Sequence, residues 1–127
     1  MTTKVGLPPA ARVRRAADFA ALRKAPGRFD SRYFLIRYRA SDTAACRMGL
    51  AVSRRVSKRA VERNRIKRVA RESFRHARAI LPAIDLVLIA RAQAADALNE
   101  ALRADLDAAW QRLQPLKRTA APGTIAD

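Results

Sequence analysis

A small α+β sandwich, with helices packed on a mixed β-sheet, is predicted by three features of the sequence. Residues 84–90, IDLVLIA, form an almost continuous apolar run of strand length, as a central strand covered on both faces requires. Residues 32–40, RYFLIRYRA, and 46–53, CRMGLAVS, are strand-like in composition and alternate in polarity. Residues 60–81 and 98–113 instead repeat apolar side chains at helical spacing. The 127 residues suit a single domain, and half of them are hydrophobic. A chain of this size buries roughly two thirds of its unfolded surface, so it folds without staples.

Each element has its own signal. Residues 1–11 read as a poorly ordered lead-in and 114–127 as a frayed tail, which leaves one domain over 12–113. VRRAADFAALRK (13–24) is a short helix with Phe19 and Leu22 as its large apolar pair, ended by Pro26 and Gly27. A further short strand is expected near 27–31. Within 32–40, Phe34, Ile36 and Tyr38 share one face; Tyr33, Leu35, Arg37 and Arg39 share the other. Residues 41–45 make a polar turn, short enough that the next strand, with Met48, Leu50 and Val52 on one face, is expected to fold back as an antiparallel hairpin. The basic loop SRRVSKR (53–59) leads into the long helix, which Pro82 stops. Asp96 is placed to cap the last helix, whose stripe is Leu98, Leu102, Leu106, Ala109 and Leu113, with Trp110 beside it. The resulting order is α-β-β-(β)-α-β-α, an α+β two-layer sandwich with a central basic helix.

Charge narrows the function. The chain carries 27 basic against 11 acidic residues, a net charge of +16, and 22 of the 27 cations are Arg. Such a chain seeks a polyanion, and the planar guanidinium fork fits phosphate and stacks on bases. One cysteine, Cys46, and one histidine, His76, exclude a disulfide framework and a multi-His or Cys-based metal centre. No apolar run approaches the ~18–20 residues of a membrane span. The N-terminus lacks the pattern of a secretory signal, so no membrane is expected and the default compartment is cytoplasmic.

The most informative segment is KRAVERNRIKRVARESFRHARAIL (58–81). Advancing about 100° per residue, Ile66, Val69, Ala70, Ser73, Phe74, Ala77, Ile80 and Leu81 fall in one core-facing arc. Lys67, Arg78, Arg71, Asn64, Arg75 and Arg68 fall on another, largely opposite. Most charged helix faces are merely solvated. Here, however, Lys67, Arg71 and Arg75 form an i,i+4 ladder of like charge, which costs roughly 0.2–0.5 kcal/mol per pair. No acid stands at i±4 to any of them, and a polyanion would recover that cost. RNA is favoured over DNA because two strands, not a helix at helix-turn-helix spacing, precede this helix. A basic helix beside an aromatic-bearing sheet suits RNA backbone and unpaired bases.

No protein active site assembles. His76 is a lone helical histidine; Ser53, Ser57 and Ser73 have no neighbouring candidate base. Asp18, Asp30, Asp85, Glu62 and Glu72 are scattered, without the paired spacing that holds Mg²⁺, and neither GxxxxGK[ST] nor GxGxxG occurs.

The run RNRIKR (63–68) followed by RESFR (71–75), with GLAVSRR (49–55) upstream and LPAIDLVLIAR (81–91) downstream, resembles the protein subunit of bacterial ribonuclease P, proteobacterial type. The resemblance covers about residues 12–113. It implies a fold of the ribosomal protein S5 domain 2-like type. It also implies that the protein binds a catalytic RNA subunit and the 5′ leader of precursor tRNA, promoting endonucleolytic removal of the leader. Catalytic groups and Mg²⁺ are then expected mainly in the RNA, with no catalytic or metal-binding residue in the protein and no obligate protein partner. Carried over residue by residue, Arg63, Asn64 and Arg65 face the RNA subunit, and the guanidiniums of Arg63, Arg65 and Arg68 are expected in solvent when RNA is absent. Arg54, Arg55, Arg59, Arg68 and Arg75 extend that face, and Lys67 and Arg71 continue it towards the leader. Phe19, Ile36 and Tyr38 line the leader cleft, with the Tyr38 ring beside Phe19. Where the family usually carries a second aromatic, four residues after Phe19, this chain has Arg23. The alternatives are a structural RNA-binding protein of ribosomal type and a DNA-binding repressor.

Overall fold

The computed structural model describes residues 11–13, 15–41, 43 and 45–115. The elements are α1 (Ala16–Arg23), β1 (Gly27–Asp30), β2 (Phe34–Ala40), β3 (Arg47–Ala51), α2 (Ala60–Ala77), β4 (Ile84–Ala90) and α3 (Asn99–Leu113). Short 3₁₀ turns at Arg78–Ile80 and Ala92–Asp96 follow α2 and β4. The mixed α+β architecture is the one expected, including the short strand near 27–31. Of the proposed lead-in and tail, only Ala11, Gln114 and Pro115 are described; Ala11 is fully buried in the core.

The sheet order is β1-β2-β4-β3, with β2 antiparallel and β3 parallel to β4. The expected hairpin between β2 and β3 does not form, because β4 lies between them. Six of its seven residues are buried, and a strand that apolar is best satisfied with a ladder on each edge and cover on each face. The turn after β2 therefore spans two strand spacings, roughly 9–10 Å.

Alternation assigns the two faces. Ile84, Leu86, Leu88 and Ala90 join Phe34, Ile36 and Met48 under α2 and α3 in the main core. On α2 the expected stripe is buried at Ile66, Val69, Ala70, Phe74 and Ala77, while Ser73 accepts a hydrogen bond from Trp110 Nε1 at 2.8 Å. Ile80 departs from the expectation: the helix tightens into a 3₁₀ turn there and the side chain is exposed. The opposite face of the sheet carries Val87, which packs with Val13, Leu22 and Ala25 around α1.

Asp96 does not cap the last helix. It ends the 3₁₀ turn, and α3 starts at Asn99 with Leu98 at its N-cap, making no side-chain cap bond. Leu98 is accordingly outside the buried stripe, 73% exposed. Asp105 of α3 instead serves the β1–β2 turn, accepting bonds from Ser31 Oγ (2.7 Å), the Arg32 amide (3.0 Å) and the Tyr33 amide (2.9 Å).

Candidate nucleic-acid interface

Two cationic features arise from this framework. The first is the start of α2 with the loop before it. Val56 is buried and pins the loop, while Arg54, Arg55, Lys58 and Arg59 stay exposed. The Ser53 and Ser57 hydroxyls accept bonds from the amides of Arg55 and Arg59, fixing two local turns. Asn64, Arg68 and Arg71 continue the exposed row along α2, and Lys67 is half-buried beside them. Among the described residues, none of these cations meets a carboxylate. Glu62 is held by Arg65 and Glu72 by Arg75.

The sequence treats the eight proposed RNA-subunit contacts as equivalent; the structure separates them. Arg54, Arg55, Arg59, Asn64 and Arg68 are exposed as expected. Arg63 turns Nη1 inward to the carbonyls of Ser57 and Lys58, both at 3.0 Å, and so ties the basic loop to the helix. Arg65 is half-buried, not free in solvent as expected. It spans from Glu62 to the carbonyls of Ala95 and Ala97 and to Asn99 Oδ1. Arg75 is exposed but paired with Glu72 at 2.7 Å, an i,i+3 pairing that the i,i+4 ladder argument overlooks. Hydrogen bonds from Arg75 and then His76 hold the Glu72 carboxyl below its ordinary value.

The second feature is the sheet face under α1. Phe19 lies over Gly49 of β3, so closely that a Cβ on that glycine would come within 2.7 Å of the ring. Arg23, in the place of the expected aromatic, sits 5.8 Å from the Phe19 ring centroid, within cation–π range. The β2 residues sharing this face are Leu35, Arg37 and Arg39, all half-buried. Arg37 donates to the carbonyl of Ala25 at 2.8 Å. Arg39 reaches Asp18 (3.8 Å) and Asp85 (3.5 Å). Asp85 is fully buried and receives a bidentate bond from Arg47, at 2.8 and 2.7 Å.

This overturns the expected cleft lining. Ile36 and Tyr38 lie on the other face, under the helical layer: Ile36 is fully buried, and Tyr38 packs on Gly27 and edge-on to Phe29. A strand's side-chain period is 2, so choosing the wrong alternate set moves every residue across the sheet. The missed set is Leu35, Arg37 and Arg39. Its signal was legible: the more apolar set, Phe34 and Ile36, belongs under the larger helical layer. Lys67 and Arg71 belong to α2, which packs on the face of the sheet opposite to that of Phe19. Just past the end of α2, Arg78 Nε donates to the carbonyl of Cys46, which precedes β3, at 3.3 Å. Phe19 meets the same strand from the opposite face, and residues 11–13 run along the strand's outer edge, with Arg12 bridged to Met48.

No group of three or more His, Cys, Asp and Glu side chains converges among the described residues. Asp18, Asp30, Asp85, Glu62 and Glu72 each meet an arginine. Burial pushes the Cys46 thiol up to about 12, so it is no nucleophile near neutrality. No helix among the described residues is long and apolar enough to cross a membrane.

Comparison with known proteins converges on one family. The family model for ribonuclease P matches residues 7–114. The chain is 40% identical over 118 residues to the ribonuclease P protein component of Xanthomonas euvesicatoria, covering 93% of this chain and 81% of that one. It is 38% identical over 91 residues to the component from Coxiella burnetii, covering 72% and 75%. Among solved structures, the RNase P protein of Staphylococcus aureus superposes with a TM-score of 0.75 at 28% identity, covering 80% of this chain and 94% of that one. The RNase P protein of Thermotoga maritima gives 0.71 at 27% identity, covering 80% and 96%.

Proposed function

The chain belongs to the ribonuclease P protein family, and from that membership we propose how its surfaces divide the work of a ribonucleoprotein. Ribonuclease P is an endoribonuclease of tRNA 5′ processing, and this chain is its RNA-binding protein component, acting with a catalytic RNA. Arg54, Arg55, Arg59, Asn64 and Arg68, together with the outward part of Arg63, meet the RNA subunit. Arg71 and the partly covered Lys67 carry the charge along β3. The 5′ leader of precursor tRNA runs over the α1 face, where Phe19 offers a flat ring, Leu35 offers apolar contact and Arg23, Arg37 and Arg39 offer a positive margin. Unpaired RNA is bound in this way elsewhere, by stacking over a cationic groove.

The described carboxylates do not form a Mg²⁺ donor set, since those nearest both surfaces are committed to arginines. Mg²⁺ is assigned to the RNA subunit, as the family membership implies, and the protein's part is to bind and orient. The complex is assigned to the cytoplasm, where tRNA precursors are processed. The observation that carries this reading is the exposed cationic row at the start of α2, whose nearest acids are both engaged elsewhere. Its test is reconstitution with a transcribed bacterial ribonuclease P RNA at low Mg²⁺. Addition of the chain is expected to accelerate removal of the 5′ leader from a precursor tRNA. No acceleration, with the protein folded and in excess, would refute it.

A further inference from the structure

We propose that Arg65 is a positioning residue rather than a phosphate contact. It locks the start of α2 to the entry of α3, so that the cations beside it reach the RNA already arranged. The inference rests on the RNA-binding reading above. Four of the five N–H donors of Arg65 are hydrogen-bonded within the protein. Its Nε donates to Glu62 Oε1 at 3.0 Å, Nη1 to the Ala97 carbonyl at 3.0 Å and to Asn99 Oδ1 at 2.8 Å, and Nη2 to the Ala95 carbonyl at 3.1 Å. Nη2 also lies 3.0 Å from Glu62 Oε1, which matches the charge. A forked contact to a phosphate would require giving up some of these bonds and leaving partly buried carbonyls unpaired.

The surroundings explain why such a lock is needed. Neither α2 nor α3 has a side-chain N-cap, so the amides of both first turns lack that support. The carbonyls of Ala95 and Ala97 flank the end of an irregular 3₁₀ turn, where no ladder takes them up. Glu62 stands three residues from Arg59 and four from Lys58, so a Glu62 released by Arg65 would be free to neutralise either cation. One guanidinium thus keeps two helix starts in register and one acid away from the exposed row. Preset cations bind more tightly because less ordering remains to be done on association.

The test compares full-length Arg65→Lys, Glu62→Gln/Arg65→Gln, Asn99→Ala and Arg68→Ala chains. Binding to a transcribed bacterial ribonuclease P RNA is measured across monovalent salt, at a temperature where circular dichroism shows every variant folded. Arg68→Ala is expected to flatten the log Kd–log salt slope by about 0.7–0.9. Arg65→Lys keeps the charge but not the fork, and is expected to weaken binding about tenfold with the slope unchanged. The charge-balanced double variant is expected to do the same, and Asn99→Ala to weaken binding by a smaller factor. Wild-type affinity in Arg65→Lys, or a slope lowered by about 0.7–0.9 in the double variant, would overturn the proposal. An unchanged slope in Arg68→Ala would count against the exposed row itself, and the lock that serves it would fall too.

Discussion

Replacing Asp85 by Asn tests the tie that joins three strands under α1. The carboxylate is fully buried and takes two charge-assisted bonds from Arg47, at 2.8 and 2.7 Å, with Arg39 3.5 Å away. Removing one partner of a buried ion pair costs about 3–5 kcal/mol. Two features moderate that figure. The Arg39 and Arg47 side chains keep 30% and 20% of their exposure, so water can reach the released guanidiniums. Asn also retains one acceptor, although its NH₂ then faces guanidinium donors. The expected loss is about 2–3 kcal/mol, between the full buried-pair cost and that of one lost charged hydrogen bond. With a urea slope near ~1.3 kcal/mol/M, the unfolding midpoint falls by about 2 M. Fluorescence of Trp110, buried between α2 and α3, reports the transition. Arg39→Ala, which removes a longer and more exposed contact, is expected to cost clearly less. A midpoint for Asp85→Asn within ~0.4 M of wild type at an unchanged slope would mean that the tie contributes little.

Other expectations concern the surfaces and the titrating groups. Phe19→Ala is expected to weaken precursor tRNA relative to mature tRNA in the reconstituted complex by a factor corresponding to the lower part of ~1–3 kcal/mol per stacked base, and Leu35→Ala, which removes apolar contact without a stacking ring, by a smaller factor. Tyr38→Ala is expected to leave that ratio unchanged; a ratio moved by Tyr38 and not by Leu35 would place the leader on the Ile36 and Tyr38 face instead. The Glu72 carboxyl, held down by Arg75 and then His76, is expected to titrate below 4.5 by NMR and to move back up in Arg75→Ala. Its depressed value adds stability above the unfolded pKa, lost as pH falls through the native one; a midpoint at or above 4.5 would refute the pairing. Cys46, raised to about 12 by burial, is expected to resist iodoacetamide at pH 8 in the native protein and to react in urea. Rapid native alkylation would show that β3 opens readily.

Local pattern was enough for much of this protein. A seven-residue apolar run declares a strand buried on both faces, and β4 is that strand. Apolar spacing along 60–77 declares which side of α2 is core, because 3.6 residues per turn leaves few alternatives. The sign and clustering of charge declare a polyanion partner, and RNRIKR with its flanking strands carries the family likeness. Each of these signals lies within one element or its near neighbours.

Tertiary structure decided what depends on residues far apart in the chain. The separation of β2 from β3 by β4 was hidden because ladder partners are chosen by the whole sheet, not by the length of one turn. The face of β2 that meets α1 was legible only in part: the more apolar set, Phe34 and Ile36, points to the larger helical layer, but that α2 and α3 share one side of the sheet while α1 takes the other is settled only by the closed fold. The fate of the arginines was least legible. Arg65 and Arg68 are alike as letters, yet Arg65 is consumed by carbonyls 30 and 32 residues away while Arg68 stays in solvent. A guanidinium bonds whatever acceptors the fold brings within reach, and those acceptors become neighbours only when the chain has closed.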